Sequence, residues 1–422
     1  MRGWSAGSGR CAVADRRHGV RSVNGSARLP QMQRPFRKGM RLPWAGNAVP
    51  HATLDLLRGC NVACPGCYNT RPPACKPLSQ IKAELRQLLT LRRLQAVTLL
   101  GGEPTLHPHL IDVVRYAAAH RLRVALLTNG VLLCPGLIAA LRRAGLSVVY
   151  LHIQSGQRRP DCRNPGDLMA LRTLRQEKAE LIAWHGLQAG IAMIGYRGKL
   201  EELRDVVEEV LGSPWVTYLL VTEYTDLFAF MGLTGDLRAG LRGGRDIGVT
   251  QRAEGHPGRG EELDTQTVAE LMADAGFEPF AYLGSSEHCD EPRWLLYRAG
   301  VIRTSTGDGR VAAVSPGWSD RLLIRLPYWC TGRYWFFHRS YPNLFRILLL
   351  VSALSGGTCL RTLSWLARSC WFGATVEEKH LLFQQGPTVT PEGRVVLCRD
   401  CPDATVVDGR LMPVCLIDRL AG

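Results

Sequence analysis

Cys60, Cys64 and Cys67 crowd one short stretch, Cys60-Asn61-Val62-Ala63-Cys64-Pro65-Gly66-Cys67. Three thiols this close cannot each reach a different element, so they are expected to converge on one centre. Three protein ligands suit a metal site that keeps a position open for chemistry, whereas a purely structural site usually takes four. The competing reading is a structural zinc with Cys75 as the fourth ligand.

Further along stands Gly101-Gly102-Glu103-Pro104. Two glycines let the backbone approach a ligand closely, and Glu103 offers an acceptor for a cationic ammonium. Thr128-Asn129-Gly130 and Gln154-Ser155-Gly156 are polar turns of the kind that end strands. His107 and His109 read as loop or capping residues. A second cysteine group, Cys398, Cys401 and Cys415, includes a Cys-x-x-Cys knuckle after the turn Thr390-Pro391-Glu392-Gly393, and Cys415 follows the turn Asp408-Gly409.

These residues need elements to position them. Short apolar runs at 52–57, 96–100, 123–127, 147–153, 188–194 and 216–222 read as strands. Helical stripes lie between them: Leu78, Ile81, Leu85, Leu88 and Leu89; Leu110, Val113, Val114 and Ala117; Leu200, Leu203, Val207 and Val210. Strict alternation implies parallel strands with right-handed crossovers, and six units make a partial (β/α)₆ TIM-like barrel. Active sites of such barrels lie at the carboxyl ends of the strands, and the cysteine loop follows the first strand. Beyond residue 280 the texture changes, with aromatics crowding at 328–337, a helical segment near 344–371 and a hairpin texture near 388–416. The fold class expected is therefore α/β, a partial barrel over 46–280 with a Gly/Arg-rich loop at 231–260, followed by a cysteine-bearing α+β domain over 281–422. Asp264 is placed to cap a helix running to about Ala275.

The chain has 422 residues, and 14 cysteines in so long a chain are unlike a secreted disulfide scaffold. Metal ligation in a reducing compartment, the cytoplasm, is the better reading. No apolar run approaches the ~20 residues of a membrane span. The net charge is +15, of which +9 lies in residues 1–45, with ten Lys/Arg against one Asp. That stretch is expected to be a disordered basic tail, with a nucleic-acid or anionic-lipid arm as the competing reading. Met32 or Met40 is an alternative start. No nucleic-acid partner is expected. The run Leu344–Leu354 reads as a buried helix, with an interfacial or lipid-binding helix as the alternative, so peripheral membrane contact is kept open.

The Cys-x₃-Cys-x₂-Cys spacing followed by Gly-Gly-Glu-Pro resembles the radical S-adenosylmethionine (SAM) superfamily, over about residues 50–230. The resemblance implies a [4Fe–4S] cluster held by Cys60, Cys64 and Cys67, with SAM on the remaining iron. It implies reductive cleavage of SAM to a radical that abstracts hydrogen from an unactivated C–H bond, with electrons from an external low-potential donor. Gly101, Gly102 and Glu103, and by position Thr128, Asn129 and Ser155, would contact SAM. One departure is Gly66, where the superfamily usually has an aromatic residue; Tyr68 follows instead. The short stretch before the barrel is expected to leave no room for a cobalamin domain. The second cysteine group would hold an auxiliary Fe–S cluster or a zinc, or consist of unligated core thiols, with Cys289, Cys330, Cys370 or the substrate as a fourth ligand.

His288-Cys289-Asp290-Glu291-Pro292 and the segment Val407–Cys415 also resemble the tetraether-lipid-synthase-like branch. That implies a lipid or other apolar substrate. A peptide or protein substrate is the alternative, and a non-enzymatic Fe–S or zinc protein is an alternative of another class.

Overall fold

A computed structural model of the chain describes residues 39–67, 69, 74–224, 262–303, 310–314, 316–336, 347, 351, 367, 375–390 and 394–417. Six strands, β2 (His51–Asp55), β3 (Ala96–Leu100), β4 (Arg123–Thr128), β5 (Leu146–His152), β6 (Gln188–Gly195) and β7 (Val216–Glu223), pair in chain order and all in parallel. Helices α1 (Leu78–Leu91), α2 (Leu110–Ala119), α3 (Pro135–Ala144), α4 (Leu168–Trp184) and α5 (Leu200–Gly212) form the crossovers. Each strand begins within a residue or so of its expected position, because a strand buried on both faces must be written as a continuous apolar run.

The helices start and stop for local reasons. Asp167 caps α4 by accepting from the amides of Met169 and Ala170. Pro135 opens α3, and Gly145 closes it in the left-handed region. On α1 the buried residues are Ile81, Leu85 and Leu88, one stripe at helical spacing. The stripes of all five helices join the outward faces of the strands in one core. Inside the barrel the side chains are smaller or aromatic: Ala96, Ala125, Val148 and Ala192 surround Tyr150 and Tyr218.

The sheet does not end at β7. Strand β11 (Thr375–Gln385) pairs with β7 in parallel and with β9 (Pro292–Arg303) antiparallel. Next come β8 (Ala281–Gly284) and β1 (Met40–Arg41), with β10 (Arg310–Ala313) also on β9. The boundary expected at 280 therefore falls inside one continuous sheet, and residues 36–422 cluster as a single compact unit. The disordered stretch expected over 1–45 does not hold at its end. Met40, Leu42 and Trp44 are buried with Phe280, Leu283 and Trp294, so apolar burial fixes the chain from Gly39 onward. The loop at 231–260 and nearly all of 344–371 lie outside the described residues.

Asp264 caps α6 (Thr265–Asp274) by accepting from the Thr267 amide at 2.7 Å, as its position suggested. The hairpin β14 (Ala404–Val407) and β15 (Arg410–Pro413) turns at Asp408 and Gly409, both with positive φ. A shorter pair, β12 (Thr388–Val389) and β13 (Val395–Val396), precedes it, and helix α7 (Trp318–Thr331) lies between β10 and β11.

One buried ion pair joins two crossovers. Arg175 of α4 donates from Nε to Glu209 of α5 at 2.9 Å and from a terminal nitrogen to the Ile153 carbonyl at 3.1 Å. Both side chains are almost wholly buried. Arg175→Leu would leave Glu209 charged and unpaired, so a loss of about 3–5 kcal/mol is expected. Urea unfolding of the two proteins measures it.

Candidate functional site

The cysteine loop follows β2 and therefore sits at the carboxyl ends of the parallel strands. It is pinned on two sides. The Gly102 amide donates to the Leu57 carbonyl at 2.7 Å, and the Glu103 amide donates to the Gly59 carbonyl at 2.9 Å. On the far side Ala63 and Arg158 form an isolated antiparallel bridge. Contact with the Gly-Gly turn leaves no space for a side chain: a Cβ on Gly102 would lie 2.2 Å from the Gly59 oxygen. These glycines thus admit the cysteine loop itself, which the sequence did not reveal.

Glu103 is completely buried. Its carboxylate accepts from the Thr105 amide and hydroxyl, from the Thr128 hydroxyl at 2.6 Å and from the Asn129 amide at 2.7 Å. These bonds tie the end of β3 to the end of β4. Asn129, placed by that bond, turns its side-chain amide toward Cys60, with Nδ2 at 3.8 Å from Sγ.

The second sulfur has a donor the sequence reading missed. Gln157 Nε2 points at Cys64 Sγ from 3.3 Å. Its orientation is fixed by Arg159, which donates to Gln157 Oε1 at 2.8 Å and to the Asn129 carbonyl at 2.9 Å. Asp161 neutralises that buried guanidinium. Ser155, the residue expected in this segment, faces elsewhere. Its hydroxyl and amide donate to Glu202, and Lys199 donates to its oxygen. It does not line the cavity described below.

Gly66 has φ of +66°, and a Cβ there would meet the Tyr196 hydroxyl at 2.8 Å and the Tyr224 ring at 3.1 Å. Tyr196 also donates to the Pro65 carbonyl at 2.6 Å. The aromatic residue usual at this position is thus excluded by two tyrosines from β6 and β7 loops. Tyr68 lies outside the described residues.

Burial, reinforced by Cys67 and then Cys60, pushes the Cys64 thiol up to about 12, against the hydrogen bond from Gln157 and the charge of Arg159. A buried thiol whose ionisation its two cysteine neighbours oppose calls for a cation to accept it as a thiolate, and binding that cation must release a proton. Among the described residues no three His, Cys, Asp or Glu side chains converge closely enough for a single metal ion. A thiolate set with amide donors to its sulfurs fits an iron–sulfur cluster, in which each thiolate takes a separate iron. Cys75, exposed, does not join the other three around the cavity.

All three thiols border a cavity of about 250 Å³ inside the barrel. Gly101, Gly102, Thr128 and Asn129 line it, and so do Leu100, Leu127, Tyr150, Ile194, Leu220 and Phe336. His152 lines it too. Burial pushes its imidazole down, so it is neutral. Gln154 Oε1 accepts from the Ile194 amide and so faces His152 Nε2 as an acceptor too, which places the imidazole proton on Nε2 and leaves Nδ1 as an acceptor. Glu223, also lining the cavity, is held well above the usual carboxylate range by burial, and neither of its oxygens has a hydrogen-bond partner among the described residues.

Cys398, Cys401 and Cys415 border this same cavity, although they lie far along the chain from the first group. Cys398 is anchored by a bridge to Ser285, and Cys415 sits in the turn after β15. The thiol of Cys401, followed by the Arg293 charge, lowers Cys398 despite its burial, while Cys401 and Cys415 are raised. Asp403 joins the lining and accepts from Gln384 at 2.8 Å. Of the fourth ligands expected, Cys289 and Cys330 do not line the cavity, and Cys370 lies outside the described residues. His107 accepts the His109 amide and faces the Lys76 carbonyl, a loop role.

Part of the chain is similar to known proteins. Residues 54–210 match the model of the radical SAM superfamily. An AdoMet-dependent heme synthase of Methanosarcina barkeri is 31% identical over 111 residues, which is 25% of this chain and 32% of that one. A PqqA peptide cyclase of Rhodopseudomonas palustris is 35% identical over 114 residues, covering 26% and 30%. The chain thus spans about a third of the length of these curated relatives. Streptococcus suis SuiB bound to its precursor peptide SuiA matches with a TM-score of 0.38 at 15% identity, over 54% of this chain and 46% of that one, too distant to bear on substrate.

The clamp at Gly102 yields a test. Gly102→Ala must displace the Gly59 carbonyl, at an expected cost of about 1–3 kcal/mol from overpacking. Iron retained after anaerobic reconstitution should fall together with the thermal midpoint; unchanged values of both would show that the two loops are not held in contact.

Proposed function

We propose that this chain, a member of the radical SAM superfamily through residues 54–210, is an enzyme acting on an unactivated C–H bond of an apolar group. Cys60, Cys64 and Cys67 would hold a [4Fe–4S] cluster. With SAM bound, it would supply the chemistry of reductive SAM cleavage and of hydrogen abstraction from the substrate. The observation that carries the reading is the convergence of the cysteine loop and the Gly-Gly turn on one cavity at the carboxyl ends of the strands.

The chain's own residues do the positioning. Gly101, Gly102, Thr128 and Asn129 border the space SAM would occupy, while Glu103 holds their strands in register. Asn129 and Gln157 direct amide hydrogens at Cys60 and Cys64, the kind of contact that sets a cluster's potential. The apolar walls contributed by Leu100, Leu127, Leu220 and Phe336 exclude water from a reactive intermediate. An external low-potential donor would supply the electron.

The same apolar walls favour a lipid chain or similar group as substrate. A peptide substrate is the second reading, favoured by the partial similarity to a peptide cyclase. Cys398, Cys401 and Cys415 are proposed to hold an auxiliary Fe–S cluster facing the same chamber; a single zinc ion would need them closer together than they stand.

Anaerobic reconstitution followed by SAM and dithionite tests the central step. Formation of 5′-deoxyadenosine is expected, and Cys64→Ala should abolish it; no product from protein with an intact cluster would favour a non-enzymatic Fe–S protein. Replacing Cys398, Cys401 and Cys415 together by alanine should lower the metal content without removing the first cluster. An unchanged metal content would rule out the auxiliary site.

A further inference from the structure

Helix α7 carries an unusual surface. Trp318, Leu322, Leu326 and Trp329 fall within about 80° of one another around the helix, from the 100° turn per residue. All four are exposed, by 65%, 45%, 49% and 64%, and Trp335 just beyond the helix is exposed by 54%. Large apolar side chains in a row over three turns form a patch, which marks an interaction site rather than the scattered apolar exposure of any surface. The opposite side of the helix is fixed to the protein. Asp320 and Pro327 are buried there, and Asp320 accepts from the Gly317 amide at 2.7 Å.

The flank of this stripe is basic. Arg321 and Arg325 are exposed and lie one turn apart beside it. With Arg41 of β1 they line an open groove of about 310 Å³. One acid, Asp290, shares the groove, 3.6 Å from Arg41. The only acidic residue within α7 is Asp320, which is buried and engaged. The whole chain carries a net charge of +15.

We propose that α7 is a membrane-docking face that lays Trp318, Leu322, Leu326 and Trp329 into the interface of an anionic phospholipid bilayer, with Arg321, Arg325 and Arg41 on the headgroup phosphates. Tryptophan and leucine on one face and arginine beside them form the composition of a helix lying in the plane of an interface. Charge complementarity selects the occupant, since a cationic flank with an arginine-lined groove matches an anionic surface and gains nothing from a neutral one. No helix among the described residues is long and apolar enough to cross a membrane. This face is independent of the cysteines and of the catalytic reading.

The test uses the full chain and sedimentation with vesicles of phosphatidylglycerol or of phosphatidylcholine. Binding to the first, weaker binding to the second and a loss with rising salt are expected. Brominated acyl chains should quench the tryptophan emission of the unaltered protein. Trp318→Ser with Trp329→Ser, and separately Arg321→Glu with Arg325→Glu, should each weaken binding by about tenfold or more. No binding to either vesicle, or no quenching, would overturn the proposal. So would full binding by both variants, or variants that alter the oligomeric state instead, which would make the stripe an interface between copies. Binding competed away by an apolar peptide would assign the face to a peptide. If the tryptophan variant fails to fold, the arginine variant and the quenching experiment decide the question.

Discussion

Everything at the strand ends depends on how closely two backbone loops can approach. The Gly102 and Glu103 amides donate to the Leu57 and Gly59 carbonyls, and the absence of a side chain on Gly102 makes that contact sterically feasible. Through it, the register of β2 and β3 is passed directly to the loop that carries Cys60, Cys64 and Cys67. Glu103 then extends the same frame to β4, because its buried carboxylate holds Thr128 and Asn129. A three-ligand centre tolerates little drift, since nothing on its open side corrects a misplaced thiol. The backbone clamp and the buried carboxylate supply that rigidity before any cofactor is present.

The second cysteine group is brought to the same chamber by the extension of the barrel sheet. Strand β11 adds to β7, β9 adds to β11, and the segment after β11 folds back past Ser285. Any centre held by Cys398, Cys401 and Cys415 would therefore face the space in front of the first, so the two groups are open to one substrate.

The sequence made part of this legible. Six parallel strands could be read because burial on both faces forces apolar runs, and the stripes of α1, α2 and α5 because one buried face repeats at helical spacing; those of α3 and α4 were not read. The continuity of the sheet beyond residue 280 could not, since the β9–β11 pairing joins segments far apart in the chain and leaves no local signature. Ser155 and Glu103 show a second kind of limit. Both sit at strand ends in polar turns, yet Ser155 is drawn to Glu202 on α5, and Glu103 is tied to Thr105, Thr128 and Asn129. Gln157 and Arg159 lay in the same polar stretch as Ser155, which gave a hint of function but not of which side chain turns inward.

The account rests on three cysteines leaving one position for SAM. Electron paramagnetic resonance of the reduced protein, with the second cysteine group replaced by alanine, tests this directly when SAM is added. The account predicts that SAM changes the g-values of the single remaining cluster. A spectrum indifferent to SAM would contradict it, as would a protein that holds no cluster in that loop.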